Sequence, residues 1–413
     1  MGTGWDAVIS RRNSKKVHST IGLKPPETHT PSAWFLGPNA ENLDIMRDLI
    51  AIALDDHAQA RVDYSKKQMG DPDMVAGRDH SYKTTVAAMK GNLRHIMSEL
   101  RASIPLSSHR NQSHMYWDIT MPGAAGYFAG MLFNQNNVAA EASPVTTALE
   151  IRAGRELCTM LGYHMDGTPE PWGHITCDGS VANIEAMWAA RNLKYQAVAL
   201  ARAIRVEPGL SAARDFAVPK PDGTWTRLLD LSVWELLNLC VEDALDLPGR
   251  IVKETRVEDV AVQAAIDTYT IHAKGAAEFN EEMLHGAVRP APAIFVPATA
   301  HYSWMKAASL LGLGRNAVRF IPVDFDGRMI ISELAAALNA CLDEKRPVVQ
   351  VVAVMGSTGE SAVDPLVDIL KLRDQFAARG LTFSLHLDAA WGGYFASMLR
   401  EVPPTNAPPD GER

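Results

Sequence analysis

Apolar residues recur along this chain with two different periods, and the change between them predicts its elements. Between residues 39 and 64, Leu43, Met46 and Ile50 follow the three- and four-residue spacing of an amphipathic helix. From about residue 140 onward, helical patterns alternate with short β-rich runs. This alternation predicts an α/β fold with a mostly parallel sheet flanked by helices.

The β-rich runs are each followed by a helical pattern. The pairs are HITCDGS before a helix from Asn183 to about Arg205, APAIFVPATAHYS before SWMKAASLLGL, AVRFIPVD before SELAAALNACLDEK, and PVVQVVAVMGS before LVDILKLRDQFAARG, which leads into LTFSLHLDAA. Ser332 is a plausible N-cap for the third helix. Ligands bind beyond the carboxyl ends of parallel strands, so the segments CDGS, TAHYS, MGSTGES and DAAWGG are expected at one edge of the sheet.

The chain divides by composition into four segments. Residues 1–33 are polar and Pro-bearing and predict a flexible arm, and residues 34–140 predict a helical N-terminal segment. Residues 141–400 contain the α/β domain, in which 206–290 is more helical and irregular and suggests an insertion. The Pro-rich residues 401–413 predict a disordered tail.

Composition narrows the class of protein. With 47% hydrophobic and 21% charged residues in 413, the chain has an ordinary soluble composition. A net charge of −8 argues against a nucleic-acid partner. Apolar runs are too short for a membrane span, and the N-terminus lacks the apolar region of a signal peptide. Four cysteines without a CxxC pair argue against disulfides or a metal site and indicate a cytoplasmic protein.

Asp388 ends an apolar strand and is followed by small residues in the stretch SLHLDAAWGG. A carboxylate buried there requires a cationic partner, and no Lys or Arg adjoins it in sequence. A protonated pyridine nitrogen would serve, because Ala390 points to the same side and leaves a slot for a planar ring. A pyridinium held by a carboxylate is the electron sink of pyridoxal phosphate chemistry. The alternative is a solvated aspartate before a tight turn.

Three other segments at this edge carry candidate polar groups. Gly179 and Ser180 precede a helix, where free N–H groups of Ser180, Val181 and Ala182 would bind a phosphate; an ordinary Ser N-cap is the alternative. His301 lies between a strand and a helix, although a lone histidine is more often a surface or hydrogen-bonded core residue. Lys306, one turn into that helix, is expected to be an ion-pair partner. Ser357 and Thr358 supply hydroxyls at a third strand end.

Together these segments resemble the group II pyridoxal-phosphate-dependent decarboxylases, especially the bacterial tyrosine decarboxylases. The resemblance covers about residues 34 to 396, and the combination of segments is specific although each is weak alone. The matching stretches are WGHITCDGSVANIEAMWAARNLK, VWELLNL, VPATAHYSWMKAASLLGLG, VVAVMGSTGESAVDP and HLDAAWGGY, with SHMYWDITMP and NNVAAEASPVTTALE upstream. The family fold is the aspartate-aminotransferase type (fold type I), a homodimer with active sites at the subunit interface.

The resemblance also implies roles for individual residues. It places the histidine that stacks on pyridoxal 5'-phosphate at His301, the aspartate that pairs with the pyridinium at Asp388, and the residue on the ring's other face at Ala390. The remaining positions are Gly179, Ser180 and Val181 around the phosphate, Ser357 and Thr358 lining the cofactor and substrate site, and His114 near the substrate pocket.

The chain departs from the family pattern at one position. The family's Schiff-base lysine lies downstream of the Asp388 motif, and this sequence has no lysine after Lys371. We therefore expect residues 1–413 to be a fragment, a truncated or split gene product, or a chain that needs a complementing one.

The expected reaction is decarboxylation of an aromatic L-amino acid, tyrosine to tyramine. His114, Tyr116 and Trp117 would form a hydrogen-bonding aromatic wall for a phenol ring, unless the two aromatics belong to the core. The alternatives are a catalytically inactive protein that keeps the ring pocket, a glutamate decarboxylase-like enzyme using Arg110, or an aldehyde-forming member.

Overall fold

The computed structural model describes residues 30–67, 78–111, 117–167, 169–220, 223–289 and 291–399. The tail predicted at 401–413, His114, and all but the last four residues of the arm predicted at 1–33 lie outside these ranges. The chain divides into two compact units. The described residues up to Thr159, together with His164–His174, belong to the first unit, and Met160–Tyr163 with Ile175–Arg400 form the second.

The first unit is helical. A short 3₁₀ turn at Pro31–Trp34 precedes helices α1 (Leu43–Lys67), α2 (His80–Leu100), α3 (Met121–Phe133) and α4 (Pro144–Leu161), the last of which ends in the second unit. Helix α1 confirms the helix predicted from the apolar spacing. The side chains of Asp79 and Thr120 cap α2 and α3 by accepting backbone N–H bonds, which satisfies donors that a helix start leaves free. Within the described ranges, no helix combines the length and apolar character that crossing a membrane requires.

The second unit contains the α/β part of the chain. Its helices are α5 (Gly179–Val206), α6 (Val233–Leu237), α7 (Val241–Glu254), α8 (Asp259–Tyr269), α9 (Ile271–Phe279), α10 (Ser303–Leu310), α11 (Ile331–Asp343) and α12 (Leu366–Ala377). Its strands are β1 (Ala217–Pro219), β2 (Trp225–Arg227), β3 (Ala293–Pro297), β4 (Val318–Ile321), β5 (Val348–Val354) and β6 (Ser384–Asp388).

Strands β3 to β6 form one parallel sheet in the order β4-β3-β5-β6, which confirms the predicted α/β class. Strand β5 is buried along its whole length, as expected for a strand covered on both faces. One face packs on α5 and α10, and the other on α11 and α12. The segment predicted to be an insertion contains the antiparallel pair β1–β2 and a cluster of short helices.

Two local predictions were wrong. Residues 174–178, in the run HITCDGS, form no strand in the described part of the chain, because β propensity makes a strand only where another strand can pair with it. Helix α11 begins at Ile331, so Ser332 lies inside the helix instead of capping it. The backbone N–H of Ile330 donates to the carbonyl of Pro322, and this tertiary hydrogen bond places the helix start before Ser332.

Helix α5 packs in the centre of the core and contains a buried lysine. Lys194 is 8% exposed, and its Nζ donates to Asn238 Oδ1 at 3.0 Å and to the carbonyl of Thr382 at 2.7 Å. The Thr382 N–H also donates to Asn238 Oδ1, at 3.0 Å. These acceptors are all neutral, so burial lowers the pKa of Lys194 to about 7.

We expect the buried lysine to make stability depend on pH. Folded Lys194 loses its proton near pH 7, whereas in the unfolded chain it keeps the proton up to its ordinary pKa of 10.5. Between these values the unfolded state binds more protons, so this group makes the free energy of unfolding rise with pH, by at most about 1.4 kcal/mol per unit.

Urea unfolding of the wild type and Lys194→Met at a series of pH values from 7 to 9 measures this slope. The variant should lose the part of the slope that Lys194 contributes, and Lys371→Met, at an exposed lysine on α12, should keep it. Equal slopes in all three proteins would contradict the argument.

Candidate functional site

The loops that follow β3, β5 and β6 meet at the carboxyl edge of the sheet. The chain leaves β3 for β4 on one side and then returns to place β5 on the other side of β3. This reversal makes the crevice between β3 and β5 the position where open α/β sheets bind ligands. His301 lies in the loop after β3, Ser357 lies after β5, and Asp388 is the last residue of β6.

Asp388 is 8% exposed and is held by two neutral donors. Its Oδ2 accepts from Trp304 Nε1 at 3.1 Å and from Asn183 Nδ2 at 3.1 Å. Its Oδ1 has one long contact, 3.5 Å to the N–H of Ala390. The sequence predicted a need for a cation, and the hydrogen-bonded partners that the described chain supplies are uncharged. Hydrogen bonds lower the cost of burying a carboxylate, and Oδ1 retains the capacity to accept a further donor.

His386 lies on the same face of β6 as Asp388, because residues two apart in a strand point to the same side. Its ring meets the indole of Trp304 edge-on, with centroids 5.2 Å apart. Burial lowers the pKa of His386, and the nearby Asp388 charge opposes this effect. Trp304 is therefore packed against His386 while its N–H bonds to Asp388.

The start of α5 touches the chain that follows β6. A Cβ built on Gly179 would lie 3.2 Å from the Cβ of Ala390, whose own side chain is exposed. The two positions leave a surface with little side-chain bulk beside Asp388.

The helix start differs from the prediction. Asp178 is the N-cap of α5, and its Oδ1 accepts the N–H of Val181 at 2.8 Å. The N–H of Ala182 donates to the carbonyl of Asp178 at 3.1 Å. The prediction of free N–H groups at Val181 and Ala182 was therefore wrong, because an aspartate cap satisfies this part of the helix end. The N–H groups of Gly179 and Ser180 have no acceptor among the described residues.

Two glycines allow the chain to turn away after Asp388. A Cβ on Gly392 would collide with the carbonyl oxygen of Met355, which belongs to the loop after β5. Gly356 has a φ of +101°, and a Cβ there would meet Trp391 at 2.8 Å and Gly392 at 3.1 Å. The glycines of DAAWGG and VMGS thus let two neighbouring strand ends approach at backbone distance.

The hydroxyl of Ser357 is used within its own loop. Ser357 is 2% exposed; its Oγ donates to Glu360 at 2.8 Å and accepts the N–H of Ala362 at 3.0 Å. Thr358 is half-buried beside it. Asp364 supports the base of the loop by accepting the N–H groups of Met329 and Val354, at 2.7 Å each.

His301 is half-buried, and its Nδ1 lies 2.9 Å from Ser303 Oγ. Ser303 Oγ in turn accepts from Asn183 Nδ2 at 3.0 Å. Lys306 is exposed and lies 5.6 Å from the ring centroid of Tyr302. The ion pair predicted for Lys306 is not formed within the described ranges, because its neighbouring turn offers an aromatic ring in place of a carboxylate.

Sequence reasoning missed four residues of this site: Asn183, Ser303, Trp304 and His386. Only His386 carried a usable signal, its two-residue spacing from Asp388 in a strand. Of the residues considered for substrate binding, His114 and Tyr116 lie outside the described residues, and Trp117 and Arg110 are exposed in the first unit.

Comparison with known proteins finds similarity to pyridoxal-dependent decarboxylases. Residues 271–404 match the pyridoxal-dependent decarboxylase conserved domain. The L-tyrosine decarboxylase of Enterococcus faecalis is 34% identical over 365 residues, which are 88% of this chain and 52% of that protein. The L-tyrosine decarboxylase of Levilactobacillus brevis is 34% identical over 373 residues, 89% of this chain and 52% of that protein. The chain spans about half the length of these curated relatives.

Shorter and more distant similarities also exist. A stretch of 105 residues, 25% of this chain, is 41% identical to 20% of the L-2,4-diaminobutyrate decarboxylase of Rhizobium meliloti. The solved glutamate decarboxylase domain from Vibrio parahaemolyticus has a TM-score of 0.47 at 14% identity, with 86% of this chain and 59% of that chain covered.

We expect Gly392→Ala to destabilise the second unit by about 1–3 kcal/mol or more, because its Cβ would collide with a backbone carbonyl that cannot rotate away. Gly359→Ala is the matched control, since a Cβ there has open space. Denaturant unfolding of both variants measures the difference. A Gly392→Ala midpoint equal to that of the control would show that the contact is looser than the structure indicates.

Proposed function

Because the chain belongs to the pyridoxal-dependent decarboxylase family, we propose that it serves the pyridoxal-phosphate-dependent decarboxylation of L-tyrosine to tyramine. Three relatives that match along most of this chain are L-tyrosine decarboxylases, and this supports tyrosine as the substrate. An amino acid is the substrate class for the family as a whole.

The residues present fit the cofactor. The observation that carries the proposal is the buried Asp388 carboxylate, whose Oδ2 is occupied by Asn183 and Trp304, while Oδ1 has one long contact within the described part of the chain. The unobstructed surface of Gly179 and Ala390 lies next to it. A carboxylate in this setting suits a protonated ring nitrogen, which a planar heterocycle would present along such a surface.

Each site residue has a proposed task. Asp388 would hold a proton on the cofactor's ring nitrogen, and His301 and Ala390 would enclose the two faces of the ring. When bound, pyridoxal 5'-phosphate supplies an electron sink for the electron pair left at the substrate's α-carbon. Gly179 and Ser180 would bind the phosphate through their N–H groups at the start of α5, and Val181 would contact it without a free N–H.

The other proposed tasks concern the loop after β5 and the substrate. Ser357 and Thr358 would line the site as part of the loop surface. The Ser357 hydroxyl would not bind the ligand itself, because it is already bonded to Glu360 and Ala362. The assignment of His114 to the substrate pocket, the homodimer and the cytoplasmic location stay predictions.

Asp388→Asn should weaken binding of pyridoxal 5'-phosphate by roughly tenfold, because a charge-assisted hydrogen bond worth about 1.5–3 kcal/mol is replaced by a neutral one worth about 0.5–1.5 kcal/mol. Fluorescence titration of the purified chain with the cofactor measures the affinity. Asp368→Asn is the control, since this aspartate is exposed on α12 and pairs with Lys371. Equal affinity in wild type and Asp388→Asn would refute the assignment of Asp388.

When a longer form or a complementing chain supplies the Schiff-base lysine, we expect tyrosine to be decarboxylated with a higher kcat/KM than glutamate or phenylalanine. A site that hydrogen-bonds a phenol hydroxyl discriminates against the analogue without it, since a buried polar group is then left without a partner. Mass-spectrometric measurement of the three amine products, with each amino acid offered separately, makes the comparison. A preference for glutamate would contradict the assignment of tyrosine as the substrate but would still agree with amino-acid decarboxylation.

A further inference from the structure

A continuous set of hydrogen bonds joins Asp388 to the ring of His301. Asn183 Nδ2 donates to Asp388 Oδ2 at 3.1 Å and to Ser303 Oγ at 3.0 Å, and Ser303 Oγ lies 2.9 Å from His301 Nδ1. Asn183 is 4% exposed and Ser303 is 1% exposed, so water does not compete for these groups. The direction of each bond can be assigned from the chemistry of its atoms.

The direction is set at the aspartate. An ionised carboxylate only accepts hydrogen bonds, and the indole N–H of Trp304, which only donates, already points at Oδ2. The atom of Asn183 that faces Oδ2 must therefore be its amide nitrogen. That nitrogen has two hydrogens, and the second one is directed at Ser303 Oγ.

Ser303 donates the next hydrogen bond, to His301. Because Ser303 Oγ accepts from Asn183, its single hydroxyl hydrogen is available to His301 Nδ1. The backbone N–H of Ser303 also points at Nδ1, at 3.3 Å, and a backbone N–H can only donate. Two independent donors therefore face the same ring nitrogen, which must carry a lone pair.

We infer that Asn183 and Ser303 are positioning residues that hold His301 in the tautomer with its proton on Nε2. In this state Nδ1 is an acceptor committed to Ser303, and Nε2–H is the ring's one donor. Nε2 has no acceptor among the described residues, so its hydrogen remains available to a bound molecule. Through Asn183 and Ser303, the Asp388 carboxylate thus determines which ring nitrogen of His301 is the donor.

The role of His301 in catalysis rests on the proposed function, whereas the assignment of its tautomer rests on the hydrogen bonds alone. If the site binds the cofactor and an amino acid, His301 would present an N–H donor to an anionic group such as the substrate carboxylate. The tautomer can be measured on the chain without any ligand. If the proposed function were wrong, the tautomer assignment could still be correct. If the tautomer were the other one, the proposed function would still stand.

Nitrogen-15 NMR of the chain labelled at its histidine rings tests the assignment, because protonated and unprotonated ring nitrogens differ widely in chemical shift. Spectra at about pH 8, above the ordinary histidine pKa of about 6.5, report neutral rings. The His301 signals are identified by their absence from His301→Gln. We expect Nε2 protonated and Nδ1 unprotonated, and a predominantly protonated Nδ1 would overturn the inference.

Two variants test whether the hydrogen bonds cause this state. Ser303→Ala and Asn183→Leu should each lower the ratio of the Nε2–H to the Nδ1–H tautomer, by roughly tenfold for the loss of one hydrogen bond. Ser303→Thr keeps the hydroxyl and should restore the ratio. Ser309→Ala, at an exposed serine of the same helix, should leave it unchanged.

Circular dichroism confirms that each variant is folded before its spectrum is compared. The signals of His272, which packs against Trp188 elsewhere in the unit, provide an internal reference that should stay constant. An unchanged His301 ratio in a folded Ser303→Ala and a folded Asn183→Leu would refute the positioning role.

Discussion

The burial of the Asp388 carboxylate is the constraint on which the arrangement of this unit depends. Burying a neutral polar group without a hydrogen-bond partner costs about 1–3 kcal/mol of folding free energy, and burying a charge in this way costs more. The folded chain must therefore place hydrogen-bond donors next to the carboxylate. One donor, Asn183, comes from α5, and the other, Trp304, comes from α10. The same carboxylate therefore sets the positions of two helices and the end of β6.

A second polar contact fixes the opposite end of β6. Lys194 lies eleven residues after Asn183 along α5, a rise of about 16 Å, and bonds to Thr382 just before the strand begins. The distance from residue 382 to residue 388 in extended chain is about 20 Å. Helix α5 is thus held against β6 by one polar contact at each end, with apolar packing between them. This explains how a helix start and a strand end can meet closely enough for Gly179 to touch Ala390.

This rigidity bears on the proposed chemistry. A carboxylate that pairs with a protonated ring nitrogen has to be oriented before the ring arrives, and Asp388 is held by the indole N–H of Trp304 and the amide of Asn183. The hydrogen bonds that orient it continue through Ser303 to His301, so the two residues proposed to contact the ring are oriented together. The similarity to L-tyrosine decarboxylases, which spans about half the length of those relatives, and the geometry of the second unit both support the proposed reaction.

The sequence by itself determined the α/β class, the helices and strands from β3 to β6, and the positions of Asp388, Ala390 and His301 at one sheet edge. These features follow from the spacing of apolar residues and from the small and polar residues at the strand ends, which are local properties of the chain. Tertiary structure decided the rest. Asn183 and Trp304 lie 205 and 84 residues from the carboxylate they bind, Asp178 caps the helix start that was expected to be open, and residues 174–178 form no strand among the described residues. Such contacts depend on which distant groups the packed sheet and helices bring within about 3 Å, and no short segment contains that information.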